Sequence, residues 1–230
     1  MPAHSFALKK DKIVLIGDSI TEGQYSGGQA ASWAENFTQH FESRFDIVNA
    51  GLGGSDSSDW VLPSPNTRPI ATTWPEPYTE QGSIFNLRAQ PHLPAKIAIV
   101  MLGTNDAVGF MKPNPTDVLT YSLNIFKIIG QLTKAGVESI ILLPPPKRFY
   151  DGEEVDKRIK RYINSLRSYS LSIRSVQLGP NFYEILTPED FEGLDVHPNQ
   201  KGHQKIADEV IQYVELHLKN YKPVQYLMPN

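Results

Sequence analysis

Short apolar runs alternate along the chain with longer segments in which apolar residues recur at helical spacing. Runs rich in Ile, Val and Leu are typical of strands buried on both faces of a sheet. Five such runs predict strands, at residues 13–16, 46–48, 97–102, 139–143 and 176–178. The helical spacing between and after them predicts helices, at residues 32–44, 118–132, 153–173 and 200–218.

This alternation of strands and helices predicts an α/β fold. Strands that are separated by helices pair in parallel through right-handed crossovers. We therefore expect a three-layer α/β/α sandwich with a central, mostly parallel five-stranded sheet, similar to that of flavodoxin. Ligands bind such sheets at the carboxyl ends of the strands, so candidate functional residues should follow the strands directly.

The segment from residue 60 to residue 94 interrupts the pattern. It contains seven prolines and little apolar periodicity, and it carries several aromatic residues, among them Trp60 and Trp74. A loop of this length inside a compact domain is usually functional or disordered, and the aromatic residues favour function. We interpret the chain as one domain over residues 1–230 with a proline- and aromatic-rich insertion at about 60–94.

Composition narrows the classes of function. The chain has 230 residues, 40% of them hydrophobic, a net charge of −3 and no cysteine. This charge gives no electrostatic signature of nucleic-acid binding, and the lack of cysteine excludes disulfides, thiolate metal sites and cysteine nucleophiles. The apolar runs are too short for stable membrane insertion. With no apolar leader at the N-terminus we expect a cytoplasmic protein; removal of a signal peptide from a secreted one would leave the same sequence.

The first candidate motif is Gly-Asp-Ser-Ile at residues 17–20, directly after the first predicted strand. A serine becomes a strong nucleophile when a base takes its proton and a turn keeps its hydroxyl exposed. Ser19 is therefore a candidate nucleophile, and a helix cap is the alternative at such a junction. The chain has no Gly-x-Ser-x-Gly sequence, so the nucleophile turn of the α/β-hydrolases is not indicated.

Two further motifs follow the second and third predicted strands. Residues 49–56 read Asn-Ala-Gly-Leu-Gly-Gly-Ser-Asp, where glycines would let backbone N–H groups approach a ligand closely. Asn105, in Gly-Thr-Asn-Asp at residues 103–106, could donate its amide to developing negative charge. Turn and cap roles are the alternatives for both motifs. The glycine spacing does not fit a dinucleotide-binding loop.

The fourth motif is Asp-Val-His-Pro-Asn at residues 195–199, just before the last predicted helix. Histidine is the side chain best suited to accept a serine proton near neutral pH. His197 is therefore a candidate base, and a carboxylate such as Asp195 could fix its tautomer; an exposed loop histidine is the alternative. No two histidines stand at a spacing of three or four residues that would predict a zinc site.

Together these residues resemble the SGNH hydrolases, also called the GDSL family, from about residue 13 to residue 213. Four blocks in order carry the resemblance, at residues 13–23, 49–54, 103–106 and 197–203. The resemblance implies that Ser19 is the nucleophile and His197 the general base. It also implies an oxyanion hole made by the backbone N–H groups of Ser19 and Gly54 and the side chain of Asn105.

One position departs from the family pattern. The family usually places its aspartate three residues before the histidine, where this chain has Leu194. We expect Asp195, two residues before, to take that place and complete the triad. Orientation of the histidine by a main-chain carbonyl, by Asp190 or by Glu192 stays open.

The resemblance implies a serine esterase that hydrolyses a small-molecule acyl ester through an acyl-enzyme on Ser19, without a metal or organic cofactor. We expect a short acyl group, such as acetyl on a carbohydrate or small molecule. A lysophospholipase, a thioesterase, an acyltransferase and a non-hydrolytic carbohydrate-binding module on the same scaffold stay open. Trp60, Trp74 and Phe149 are expected to line the substrate site. The sequence predicts no nucleic-acid partner and does not indicate an oligomeric state.

Overall fold

The computed structural model of the chain describes residues 10–24, 31–62, 83–110 and 112–220. Five strands lie in these residues: β1 (Asp11–Gly17), β2 (Phe45–Asn49), β3 (Ile97–Met101), β4 (Ser139–Leu142) and β5 (Val176–Leu178). They form one sheet in the order β2-β1-β3-β4-β5, and all four pairings are parallel. The predicted strands and their parallel pairing are confirmed.

Helices connect the strands and cover both faces of the sheet. They are α1 (Ser19–Glu22), α2 (Trp33–Phe41), α3 (Ser57–Val61), α4 (Val118–Lys134), α5 (Glu153–Ser172), α6 (Phe182–Ile185) and α7 (Gln200–Asn220). The four helices predicted from the sequence correspond to α2, α4, α5 and α7. The chain therefore has the predicted three-layer α/β/α architecture.

Alternation along the strands divides the core between the two faces. Val14 and Ile16 of β1 pack in one cluster with the buried residues of α4 and α5. Ile13 and Leu15 of the same strand pack in a second cluster with those of α2 and α7. Successive side chains of a strand point to opposite faces, so a strand covered on both sides is apolar throughout, as these runs are.

The segment at residues 60–94 differs from the irregular loop that the sequence predicted. Its first residues complete α3, which begins with a capping box between Asp56 and Asp59. Its last part forms a π-helical turn, Phe85–Ala89, followed by a 3-10 turn, Gln90–His92. Residues 63–82 lie outside the described residues, so the structure describes the two ends of this segment.

Trp60 is a correction to the sequence prediction. Its side chain has no exposed surface and belongs to the core cluster beside α4 and α5. Its indole N–H donates to Ser55 Oγ at 3.1 Å. Because both the ring and its polar atom are used inside the protein, Trp60 packs the core and does not line a substrate site. Trp74, predicted to line that site too, lies outside the described residues.

No helix in the described part of the chain is both long and apolar enough to cross a lipid bilayer.

Shortening a buried side chain of the central strand β3 should destabilise the protein. Ile99 is 1% exposed and faces the α2 and α7 layer. Replacing it with alanine removes buried methyl groups and leaves a cavity, so Ile99→Ala should lower the free energy of unfolding by about 2–5 kcal/mol. The exposed Leu216 of α7 provides the control, and Leu216→Ala should change the free energy by about 0.5 kcal/mol or less. Urea unfolding measures both; equal effects would contradict this core.

Candidate active site

The turn after β1 presents a serine at the carboxyl edge of the sheet. Asp18 caps α1, and its carboxylate accepts the N–H of Ile20 at 3.0 Å. Ser19 is the first residue of that short helix. A Cβ on Gly17 would lie 2.0 Å from Thr21 Oγ1 and 2.9 Å from the carbonyl oxygen of Met101. Only glycine fits there, so the tightness of the turn fixes where the serine hydroxyl stands.

The loop before α7 brings a histidine to this serine. His197 Nε2 lies 2.8 Å from Ser19 Oγ, although the two residues are 178 positions apart in the chain. His197 Nδ1 lies 2.7 Å from Asp195 Oδ1. This geometry fits a neutral imidazole that donates from Nδ1 to the carboxylate and accepts the serine O–H at Nε2. It is the arrangement of a nucleophile, a general base and an orienting acid.

A compact loop explains how an aspartate only two residues away can reach the histidine ring. A β-bridge pairs Phe191 with Pro198 and closes the loop at its base. Inside it, the N–H of Glu192 donates to the His197 carbonyl at 3.0 Å, and the N–H of Asp195 donates to the Glu192 carbonyl at 2.9 Å. The side chain of Asp195 is thereby folded back over the two residues that follow it, and its Oδ1 also accepts their backbone N–H groups.

The two other carboxylates considered as partners of His197 make other contacts or lie at the surface. Asp190 is fully buried, accepts the N–H and the hydroxyl of Thr187, and pairs with Lys205 at 3.0 Å. Glu192 is exposed at the loop surface. The residue that contacts His197 Nδ1 at hydrogen-bonding distance is Asp195, despite its shifted position in the sequence.

Burial determines the charge state of the histidine. Desolvation lowers the pKa of His197 below its ordinary value, the contact with Asp195 opposes this, and the positive charge of Arg148 adds to it. Burial raises the pKa of Asp195, but the hydrogen bond and charge of His197 and two backbone N–H groups outweigh it, so the carboxyl pKa lies below its usual range. At neutral pH the pair is a neutral imidazole beside a carboxylate.

Three predicted hydrogen-bond donors occur on the loops around the serine. The backbone N–H of Ser19 donates to no acceptor in the described part of the chain. Gly54 has a φ of +67°, which favours glycine. Asn105 is 6% exposed, and its Nδ2 donates one hydrogen to the Ser55 carbonyl at 2.9 Å. That bond ties the loop after β3 to the loop after β2 and leaves the second amide hydrogen available.

The neighbouring glycine has a different role. The N–H of Gly53 donates to Glu22 Oε2 at 3.1 Å, so this group is already used in holding the loop to α1. The family resemblance assigns the donor of this loop to the next residue, Gly54.

A buried network supports the loop that carries Gly54. Asp106 accepts the backbone N–H of Ser57 at 3.0 Å and also its hydroxyl. Burial and the nearby Asp56 raise the pKa of the Asp106 carboxyl. Asn124 of α4 donates to Ser57 Oγ at 3.1 Å. These bonds fix the start of α3, which follows the loop that carries Gly54.

Sequence reasoning missed Arg148, which follows the proline run after β4. Its side chain is only 12% exposed. Burial lowers the pKa of His197, and the positive charge of Arg148 lowers it further. Burial raises the pKa of Asp18 to about 6, and the charge of Arg148 opposes this rise. Arg148 lines a cavity of about 500 Å³ together with Phe149 and residues of the His197 loop. Phe149 thus borders this cavity, where its ring packs edge-on against Phe191 at 5.5 Å. The signal in the sequence that could have identified Arg148 was a basic residue in the segment that follows a strand.

Comparison with known proteins places this arrangement in a family. A model of the GDSL-like lipase/acylhydrolase family matches residues 15–205. A GDSL lipase from Mycobacterium tuberculosis is 21% identical over 210 residues, which cover 90% of this chain and 82% of that protein.

Solved structures share the fold. A lipolytic protein of the G-D-S-L family from Veillonella parvula superposes with a TM-score of 0.64 at 20% identity, covering 87% of this chain and 96% of that one. The acetylxylan esterase Axe2 from Geobacillus stearothermophilus superposes with a TM-score of 0.67 at 17% identity, covering 93% and 96%. Structures of its catalytic mutants carry alanine in place of a serine or a histidine.

The family match extends over most of the chain and includes every residue of the candidate site, from Ser19 to His197. The chain therefore belongs to the GDSL-like lipase/acylhydrolase family.

Proposed function

We propose that this protein is a serine esterase that hydrolyses a short acyl ester through a covalent acyl-enzyme on Ser19. The observation that carries the proposal is the continuous contact from Ser19 Oγ to His197 Nε2, 2.8 Å, and from His197 Nδ1 to Asp195 Oδ1, 2.7 Å. A module that only binds a carbohydrate does not need a base held against a serine hydroxyl. Family membership supports ester hydrolysis in general.

In the first half of the reaction, Ser19 Oγ attacks the ester carbonyl carbon while its proton moves to His197 Nε2. The carbonyl oxygen becomes an oxyanion, which the N–H groups of Ser19 and Gly54 and the amide of Asn105 stabilise. Asp195 stabilises the imidazolium that forms. The bond to the alcohol then breaks, and Nε2 gives its proton to the leaving oxygen.

In the second half, water takes the place of the alcohol. His197 accepts a proton from the water as its oxygen attacks the acyl carbon. The same three donors hold the second oxyanion, and collapse of this intermediate returns a proton to Ser19 Oγ and releases the acid. The protein ends in its starting state. Apart from the ester and water, every group in these steps belongs to this chain.

We infer a short acyl group from the surroundings of Gly54. The ring of Phe110 lies close to this residue, 3.1 Å from where a Cβ on Gly54 would stand. A ring near the proposed oxyanion donor favours a short acyl group over a long chain. The similar fold of an acetylxylan esterase supports an acetyl ester of a carbohydrate or small molecule over a long-chain lipid.

Replacing the nucleophile should abolish hydrolysis without affecting the fold. Ser19→Ala should lower turnover of p-nitrophenyl acetate by on the order of 10⁶-fold, because the attacking oxygen is removed. The assay compares the p-nitrophenyl series from acetate to octanoate in both proteins, with circular dichroism as the control for folding. Wild-type activity should fall with acyl length. A Ser19→Ala protein as active as the wild type would refute the assignment.

Asn105 should contribute to the transition state and little to ground-state binding. Asn105→Ala should lower kcat for p-nitrophenyl acetate by about 10²–10³-fold with a smaller change in KM, as expected for loss of one oxyanion donor. Thermal unfolding checks that losing the bond to Ser55 has not opened the loop. An unchanged kcat would remove Asn105 from the oxyanion hole.

The acid limb of the pH profile should report His197. The base works only when neutral, and the pKa of His197 is lowered from 6.5, so kcat/KM should fall on acidification with a midpoint below pH 6.5. A midpoint above this value would contradict the site as described.

Asp195 is tested separately from its neighbours. Asp195→Asn should reduce kcat by up to about 10⁴-fold, because an amide does not hold the tautomer that a carboxylate holds. Glu189→Gln, an exposed carboxylate paired with Lys201 outside the site, is the matched control and should retain wild-type kcat. Equal kcat in both variants would return the choice to a main-chain carbonyl, Asp190 or Glu192.

A further inference from the structure

The proposed mechanism determines on which side of the serine the alcohol part of the ester lies. His197 Nε2 must reach the leaving oxygen to give it a proton, while the carbonyl oxygen points to Ser19 N–H, Gly54 and Asn105. The alcohol therefore lies toward the His197 loop. The cavity of about 500 Å³ lies between the loop after β4 and the His197 loop, and it is lined by Asp195 and Val196, which directly precede His197.

Arg148 is the positively charged residue in the wall of this cavity. The side chain of Arg148 is 12% exposed, and its Nε donates to Asp151 Oδ2 at 2.7 Å. Its two terminal nitrogens donate to no acceptor within the residues that the structure describes. Its charge acts on both Asp18 and His197, so the guanidinium lies within electrostatic reach of the nucleophile turn and the base. Four N–H donors are thus available in the wall of this cavity.

The charges around Arg148 indicate what these donors bind. The cavity is lined by one guanidinium and by the three carboxylates of Asp151, Glu192 and Asp195, which gives one positive and three negative charges, or a net charge of −2 beside a neutral imidazole. Asp151 compensates Arg148 directly, and Glu192 makes no ion pair within the described residues. This field repels a carboxylate or a phosphate. Hydroxyl groups can accept from the guanidinium and donate to Glu192 without bringing a charge.

Aromatic rings complete the wall. Phe149 and Tyr150 line the same cavity, and Tyr150 is 51% exposed. A ring exposed beside hydrogen-bonding groups can pack on the C–H face of a cyclic alcohol. We propose that this cavity binds the alcohol part of the ester, that the alcohol is neutral and polyhydroxylated, and that Arg148 is the residue that selects it. The proposal rests on the proposed esterase function.

Three acetates on one six-membered ring test the proposal directly: cyclohexyl acetate, inositol monoacetate and 4-acetoxycyclohexanecarboxylate. They share the acyl group and the ring, and they differ in carrying no polar group, several hydroxyls or one negative charge. Acetate release gives kcat/KM for each, at a pH above the acid limb of every variant. The wild type should prefer inositol monoacetate and should hydrolyse the carboxylate most slowly.

Arg148→Met should reduce the preference for inositol monoacetate over cyclohexyl acetate by about 10- to 100-fold, as expected for lost hydrogen bonds to a charged group, and mostly through KM. Arg148→Lys, which keeps the charge but not the planar fork, should recover part of the preference. Arg148→Met should also move the acid limb to higher pH, because the charge that lowers the pKa of His197 is gone.

Glu192→Gln offers an independent route if Arg148 variants fold poorly, since Glu192 is exposed. It should raise kcat/KM for the carboxylate-bearing acetate relative to cyclohexyl acetate, whereas Glu189→Gln, the control outside the cavity, should leave all three ratios unchanged. A wild type with no preference among the acetates, or an Arg148→Met protein that loses activity on all three equally, would overturn the proposal. A wild type inactive on these acetates and on p-nitrophenyl esters would instead refute the esterase function.

Discussion

The all-parallel order of the sheet is the constraint on which the site depends. β1 lies between β2 and β3, so the turns after these three strands open at one edge. The turn after β1 carries Ser19, the loop after β2 carries Gly54 and the loop after β3 carries Asn105. The bond from Asn105 to the Ser55 carbonyl joins two of these loops. No single loop contains the site; strand order assembles it, and a change of pairing would disperse it.

The His197 loop adds the proposed base to this edge and influences its charge state. The Phe191–Pro198 bridge closes this loop. Asp195 therefore lies beside the imidazole although it is two residues before His197, where the family usually has three. Burial keeps the imidazole neutral, while the carboxylate holds the tautomer that leaves Nε2 as the acceptor. Arg148 adds a positive charge to the same region. The environment of the proposed base thus comes from three separate segments: the loop after β4, the His197 loop and the sheet edge.

Much of this could be predicted because it is encoded locally. The strands could be predicted because their apolar runs pack in both core layers. Ser19 and Asn105 could be predicted as site residues because they directly follow such strands. What escaped prediction depends on packing. Trp60 is in the core because α3 forms and turns it inward, a consequence of a capping box in a segment that lacks periodicity. Arg148 follows a strand, but its place in the wall of the cavity depends on how the loop after β4 packs beside the His197 loop.

Trapping the covalent intermediate is the most direct test of the central claim. The protein is mixed with p-nitrophenyl acetate, quenched in acid within the burst, digested and analysed by mass spectrometry. The account predicts one acetyl group per chain, on the peptide that contains Ser19, accumulating at the rate of the p-nitrophenol burst. An acetyl group on another residue that forms at that rate, or a burst without any acetylated peptide, would contradict it.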